Sequence, residues 1–242
     1  MNTIVYVGSG RLGDFIYQLS VIYENFVSTG KKGILYISST PESFAHGIEK
    51  AYGDTKEYIL SLEYISDYKI YNGESVDIDL SQWRYSRLLY KSHFNDIYKE
   101  RYSIDWGRRP WLFSTIDTSL KDKILVCCGA TSRFPDKVDF KKLFESYEKE
   151  NIVFITQNYE DFSYFYTRTN IHLPVYIPET ISEYIKAINS CKLVIGSLSS
   201  PLTYAYGLHK QSITLLNSHC NLDNIHVIGL SDIIPTKICM EI

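Results

Sequence analysis

The feature that most constrains this chain is an alternation. Short apolar runs rich in β-branched residues take turns with amphipathic stretches, and the series runs twice along the sequence. That order predicts parallel sheets covered by helices. In the first half, Thr3 to Val7 reads as a strand, Gly8 to Gly13 as a turn and Asp14 to Ser28 as a helix, with Phe15, Leu19, Ile22 and Phe26 at helical spacing. A strand over Gly33 to Ile37, a helix over Ser43 to Tyr52, two short strands within Tyr58 to Asp79 and a helix over Ser86 to Tyr98 follow. The second half repeats the pattern. Its strands are Ile124–Cys128, Ile152–Thr156, Val175–Ile177, Leu193–Ile195 and Ser212–Leu215, and its helices Asp139–Lys149, Tyr159–Thr169, Ile181–Ser190 and Pro201–Leu208.

Between the two series, the stretch Asp105 to Leu112 breaks periodicity with Gly107 and Pro110 and marks the approach to a linker. The 242 residues suffice for two domains of about 120 residues each. The expected division is 1–115 and 116–242, with the boundary inside 112–120. The expected fold is α/β, two Rossmann-like domains facing each other. A net charge of −3 offers no attraction to nucleic acid or anionic membranes, so neither is an expected partner.

The five cysteines are odd in number and show no C-x-x-C spacing, which fits a reducing compartment. No run of eighteen apolar residues occurs, and the chain opens on a strand rather than a charged and then apolar leader. A cytoplasmic protein without a membrane span is expected. The six histidines are dispersed, so no metal site is expected, and neither a Walker A sequence nor a G-x-S-x-G elbow is present. Trp83, Trp106 and Trp111 read as packing residues, because no basic stripe accompanies them.

Gly8-Ser9-Gly10-Arg11-Leu12-Gly13-Asp14 follows a strand and opens a helix, the setting of a G-x-G-x-x-G motif. Such a turn brings a ligand to free amides at a helix N-terminus. A dinucleotide site also needs an acid at the end of the next strand, yet Leu35 to Thr40 offers none and the first is Glu42. Asp14, at the start of the helix, has two readings: a base for an acceptor hydroxyl, or a residue favoured there by the helix dipole.

In the second half, Gly196-Ser197-Leu198-Ser199-Ser200-Pro201 joins a strand to a helix that starts with proline. Gly196, Ser199 and Ser200 lie where amides and hydroxyls would meet a phosphate. The loop after the first strand of this half carries Thr131 and Ser132 beside Arg133, whose fork suits a diphosphate, and Lys137, read as a solvated surface residue. Gln157 and Glu160 follow the next strand, where a nucleoside would be read, although Glu160 also suits a helix N-terminus.

With these residues in view, the chain resembles the GT-B glycosyltransferases of the lipopolysaccharide heptosyltransferase type (glycosyltransferase family 9), in a short and divergent form. Gly10-Arg11-Leu12-Gly13-Asp14-Phe15 looks like the family's N-terminal G-x-x-G-D loop, and Arg108 to Leu112 like the segment before its linker. Ser182 to Leu215, with Ser190-Cys191-Lys192-Leu193-Val194-Ile195-Gly196, Ser199-Ser200 and Ala205 to Leu208, looks like its donor-binding helix, strand, turn and helix. The resemblance implies inverting, metal-independent transfer of a sugar from a nucleotide-diphosphate donor, with the nucleotide-sugar as substrate and no other cofactor. It implies Asp14 as base, Gly10, Arg11 and Gly13 in an acceptor-side loop, a glycan-type acceptor on the N-terminal half and the donor on the C-terminal half. Leu198 replaces the family's Asp before the donor turn, and Thr203 stands where it has a histidine, which argues against ADP-heptose as donor. A nucleotide- or glycan-binding module without turnover, and an NAD-dependent enzyme, stay open as alternatives.

Overall fold

The computed structural model describes residues 3–130, 134–217 and 236–239. The chain divides into two compact units, the first built on residues up to Phe113 and the second beginning at Ser114.

The first unit runs β1 (Thr3–Ser9), α1 (Leu12–Thr29), β2 (Lys32–Ser38), α2 (Ile48–Ser61), β3 (Ile65–Ile70), β4 (Ile78–Asp79) and α3 (Phe94–Tyr102), with a 3-10 turn at Gln82–Tyr85 between the last two. The strands are parallel in the order β3-β2-β1-β4. The chain steps outward from β1 to β2 to β3, then returns to the opposite side of β1. That reversal makes the β1/β4 junction a topological switch point, where the loops leaving the two strands part and open α/β sheets take their ligands.

From Phe15 to Ile22 every residue of α1 is buried, more than the stripe read from the sequence. The reason is an aromatic layer over its outer side. The ring of Tyr17 meets Phe94 at 5.1 Å and Trp106 at 5.5 Å, Trp106 meets Trp111 at 5.2 Å, and Trp111 Nε1 donates to the Ile16 carbonyl at 3.2 Å. Each such ring pair adds about 0.5–1.5 kcal/mol beyond area burial. Trp83, Trp106 and Trp111 are all buried, in keeping with the packing role expected of them. Buried Gln18 takes the place of a strand neighbour for Ser9, accepting from its amide at 3.2 Å and donating to its carbonyl at 2.8 Å. The end of β1 is thereby pinned to α1.

Three helices differ from expectation. The helix expected over Ser43 to Tyr52 lies instead at Ile48–Ser61, and that over Asp139 to Lys149 shortens to Phe140–Phe144. The helix expected over Ser86 to Tyr98 is instead an irregular stretch from Ser86 to His93 followed by α3. Tyr90 takes a left-handed φ of 62°, and Ser86 Oγ accepts from the Leu88 amide and donates to Glu100, so local side-chain bonds displace the helix.

The second unit runs β5 (Ile124–Cys127), α4 (Phe140–Phe144), β6 (Ile152–Ile155), α5 (Tyr159–Thr169), β7 (Val175–Tyr176), α6 (Ile181–Ser190), β8 (Leu193–Ser197), α7 (Ser200–Gly207), β9 (Ser212–Leu215) and β10 (Thr236–Cys239). Its sheet is parallel, in the order β10-β9-β8-β5-β6-β7, and reverses between β5 and β8. The core joins Ile124 and Val126 of β5, Phe154 of β6, Phe165 of α5, Ile195 of β8 and Leu215 of β9. Strands buried on both faces read as continuous apolar runs, which is why their positions were evident.

Candidate functional site

In each unit the glycine- and serine-rich loops singled out by sequence leave strands at the switch point, while the loop after β6, with Gln157 and Glu160, lies one strand away. In the first unit β1 ends at Ser9 and α1 begins at Leu12, which makes Asp14 the third residue of the helix. Gly10 is buried with φ +116°, and the place its side chain would take is occupied by Arg84 Nη2, with Arg84 Cζ 3.2 Å from that point. Arg84 comes from the turn that follows β4. Its Nη2 lies 3.3 Å from Asp14 Oδ2 and 3.2 Å from Glu42 Oε2, and its guanidinium lies 4.3 Å over the Trp83 ring. The side chain is only 10% exposed.

The side chain of Asp14 is 22% exposed. Burial raises its pKa, the charge of Arg84 opposes this, Glu42 raises it further, and the charge and amide of Arg11 lower it. A carboxyl with a raised pKa beside a fixed cation suits proton transfer. Arg11 is exposed and Gly13 half-buried.

Glu42 lies in the segment after β2. Its carboxylate is engaged by Arg84, and the close approach that the second glycine of a dinucleotide loop gives to a pyrophosphate is here used by the chain's own arginine.

In the second unit the loops after β5 and β8 flank the switch point. The Gly129 amide donates to Ser197 Oγ at 3.0 Å, and the Ala130 amide to Asp161 Oδ1 at 2.9 Å. Asp161, in the first turn of α5, also accepts from Thr156 Oγ1 at 3.3 Å. It carries the β5 loop in a way the sequence did not reveal. Thr131, Ser132 and Arg133, next along that loop, lie outside the described residues.

Ser199 is the N-cap of α7 and Ser200 its first residue; both are half-buried. Ser199 Oγ donates back to the Ser197 carbonyl at 3.1 Å and makes no cap bond to the helix amides. Gly196 sits inside β8, where an added Cβ would lie 2.5 Å from Cys127 Sγ and 2.9 Å from its carbonyl oxygen. The close spacing of β8 and β5 therefore accounts for that glycine. Gln157 is exposed and donates to the Pro178 carbonyl at 3.4 Å, and Glu160 is exposed on the first turn of α5, its amide capped by Asn158.

A cavity of about 380 Å³ in the first unit, lined by Val21, Asn25, Asp77, Asp79, Gln82 and Arg101 among others, does not include the Gly8–Asp14 loop. Its acids are already engaged: Asp79 accepts from Ser81 and Gln82, and Asp77 from the Val5 amide. Among the described residues no group of His, Cys, Asp and Glu is placed to hold a metal ion, and no helix is long and apolar enough to cross a membrane.

No family model and no curated protein matches the sequence. Among solved structures, the chain is similar to the family 9 glycosyl transferase from Veillonella parvula, with 13% identity and a TM-score of 0.58 over 98% of this chain and 86% of that one. It is also similar to E. coli heptosyltransferase WaaC. The structure of that enzyme with ADP gives 10% identity and a TM-score of 0.55, and the one with ADP-2-deoxy-2-fluoro heptose a TM-score of 0.52, each over 97% of this chain and 92% of that one. The chain has the heptosyltransferase-like, GT-B-like α/β fold that the sequence resemblance implied.

Proposed function

We propose that the protein is a glycosyltransferase that moves a sugar from a nucleotide-diphosphate donor to a hydroxyl of a glycan-type acceptor, with inversion and without a metal. The observation that carries this reading is the Asp14 carboxyl, on a partly exposed side chain, raised in pKa and fixed beside Arg84 at the switch point of the first sheet. The acceptor hydroxyl oxygen attacks the anomeric carbon from the face opposite the leaving group. Asp14 takes the hydroxyl proton, and the bond to the diphosphate breaks with its electron pair leaving on the phosphate oxygen. Arg11 and the backbone at Gly10 and Gly13 border the acceptor. Amides and hydroxyls at Ser199 and Ser200, with Thr131, Ser132 and Arg133, neutralise the departing diphosphate, the chief electrostatic task of such a site; Gly196, paired within β8, serves the close packing of that strand on β5. Gln157 and Glu160, exposed after β6, read the nucleoside.

The nucleotide-sugar is substrate, and no further cofactor enters. The buried free thiols of Cys127, Cys128 and Cys191 fit a reducing, cytoplasmic setting. The test is Asp14→Asn: sugar transfer falls by at least about 100-fold while affinity for the nucleoside diphosphate is retained. Equal turnover in the variant removes Asp14 from the mechanism. Nucleotide affinity with no transfer by the wild type across sugar donors leaves the binding-module reading in its place.

A further inference from the structure

Arg84 is held in an unusual way. Its Nε and Nη1 are buried with no hydrogen-bond partner among the described residues, while Nη2 carries both ion pairs. Unmatched buried donors on a charged group are costly. The indole face of Trp83 offsets part of that cost, and the notch at Gly10 exists to admit the guanidinium. An arginine does not give up its proton, so the result is a permanent positive charge, shielded from water, against one carboxylate oxygen of Asp14. We infer that Arg84 is a positioning residue for Asp14, keeping its carboxylate ionised and fixed for proton transfer, with Glu42 as the competitor that weakens this hold. The inference rests on the reading of Asp14 as base.

Four groups bear on Asp14. Arg11 comes from its own loop, Glu42 from the segment after β2, Arg84 from the turn after β4, and the buried Tyr98 hydroxyl from α3. Burial and Glu42 both favour the protonated acid, in which form Asp14 is useless as a base; Arg84 is the strongest opposing influence. Glu42, with 51% of its side chain exposed, shares the one nitrogen that Asp14 uses. Neutralising Glu42 leaves that nitrogen to Asp14 alone.

The test is a carbon-13 NMR titration of the Asp14 carboxyl in the full chain, in the wild type, Arg84→Gln, Arg84→Lys and Glu42→Gln. Arg84→Gln raises the midpoint by about one unit or more, the effect of losing an adjacent opposite charge. Arg84→Lys restores part of the difference, because a lysine keeps the charge without the planar fork. Glu42→Gln moves the midpoint down. In turnover, the acid limb of the kcat/KM profile follows the same shifts. Should Arg84→Gln fail to fold, Glu42→Gln at its exposed site decides alone. A midpoint unmoved by that substitution overturns the inference, as does one unmoved in a folded Arg84→Gln. The titration needs no turnover, so shifted midpoints in a protein that transfers no sugar would sink the proposed function and leave the Arg84–Asp14 coupling intact.

Discussion

Gly10→Ala probes the construction of the first loop most sharply. The substitution acts twice. A side chain at φ +116° is strained whatever the space around it, at a cost of about 1–3 kcal/mol. The new methyl also overlaps Arg84 Nη2 and comes within 3.3 Å of Asp14 Cβ, so the guanidinium must leave its notch and give up one or both carboxylates. Gly73 supplies the control, because its φ is +98° and nothing lies within 4 Å of an added Cβ. Gly73→Ala therefore carries the backbone strain without the displacement. In a unit of this size, each kcal/mol lowers Tm by about 4–8 °C. Differential scanning calorimetry should show Gly10→Ala melting well below Gly73→Ala, with the gap closing when Arg84→Ala is added to each. Equal melting of the two single variants would refute the reasoning, for it would mean that Arg84 does not fill the space beside Gly10.

Gly196→Ala should destabilise the second unit by about 1–3 kcal/mol through overpacking against Cys127, and Cys127→Ala should return only part, since the clash with the Cys127 carbonyl persists; paired thermal melts check both. The Asp14 pKa is raised on folding, so the native state holds its proton to higher pH than the unfolded chain, and wild type loses stability relative to Asp14→Asn as pH rises from the ordinary carboxylate value through the native one. Denaturant titrations across that range read the difference, and a gap independent of pH contradicts it. Cys127, Cys128 and Cys191 are buried and their thiols are pushed up, those of Cys128 and Cys191 to about 12. Mass spectrometry after brief exposure to a thiol reagent should find all three unmodified until the protein is unfolded.

The parts of this protein legible in its sequence are those fixed locally. The βα alternation, the glycine turn after β1 and the serine turn after β8 announce themselves through periodicity and backbone requirements over a few residues. Helices α5 and α6 fall where spacing and caps place them, with Asn158 and Thr180 accepting from the first-turn amides. The helix expected over Ser86 to Tyr98 failed because Ser86 and Tyr90 settle their own local geometry, which a hydrophobic stripe does not register. Arg84 stayed hidden for another reason. It meets Asp14 from 70 residues away, and its placement depends on β4, two residues long, lying beside β1 rather than beyond β3. Once the strand order is known, the turn after β4 is the place to look, since the switch point brings it to the loop after β1. Asp161 is similar: the sequence reading picked out its neighbour Glu160, and only the path of the β5 loop shows that Asp161 is the one it engages.

The central claim, that the chain uses a nucleotide-diphosphate sugar, is tested most directly by calorimetric titration and thermal melting with UDP, GDP, ADP, CDP, CMP and NAD, each beside its nucleoside where one exists. One nucleoside diphosphate should bind and, at a hundred times its Kd, stabilise the protein by about 2.7 kcal/mol, while its nucleoside, lacking the diphosphate, binds far more weakly. Stabilisation by NAD alone, or equal binding of nucleoside and nucleoside diphosphate, would contradict the account.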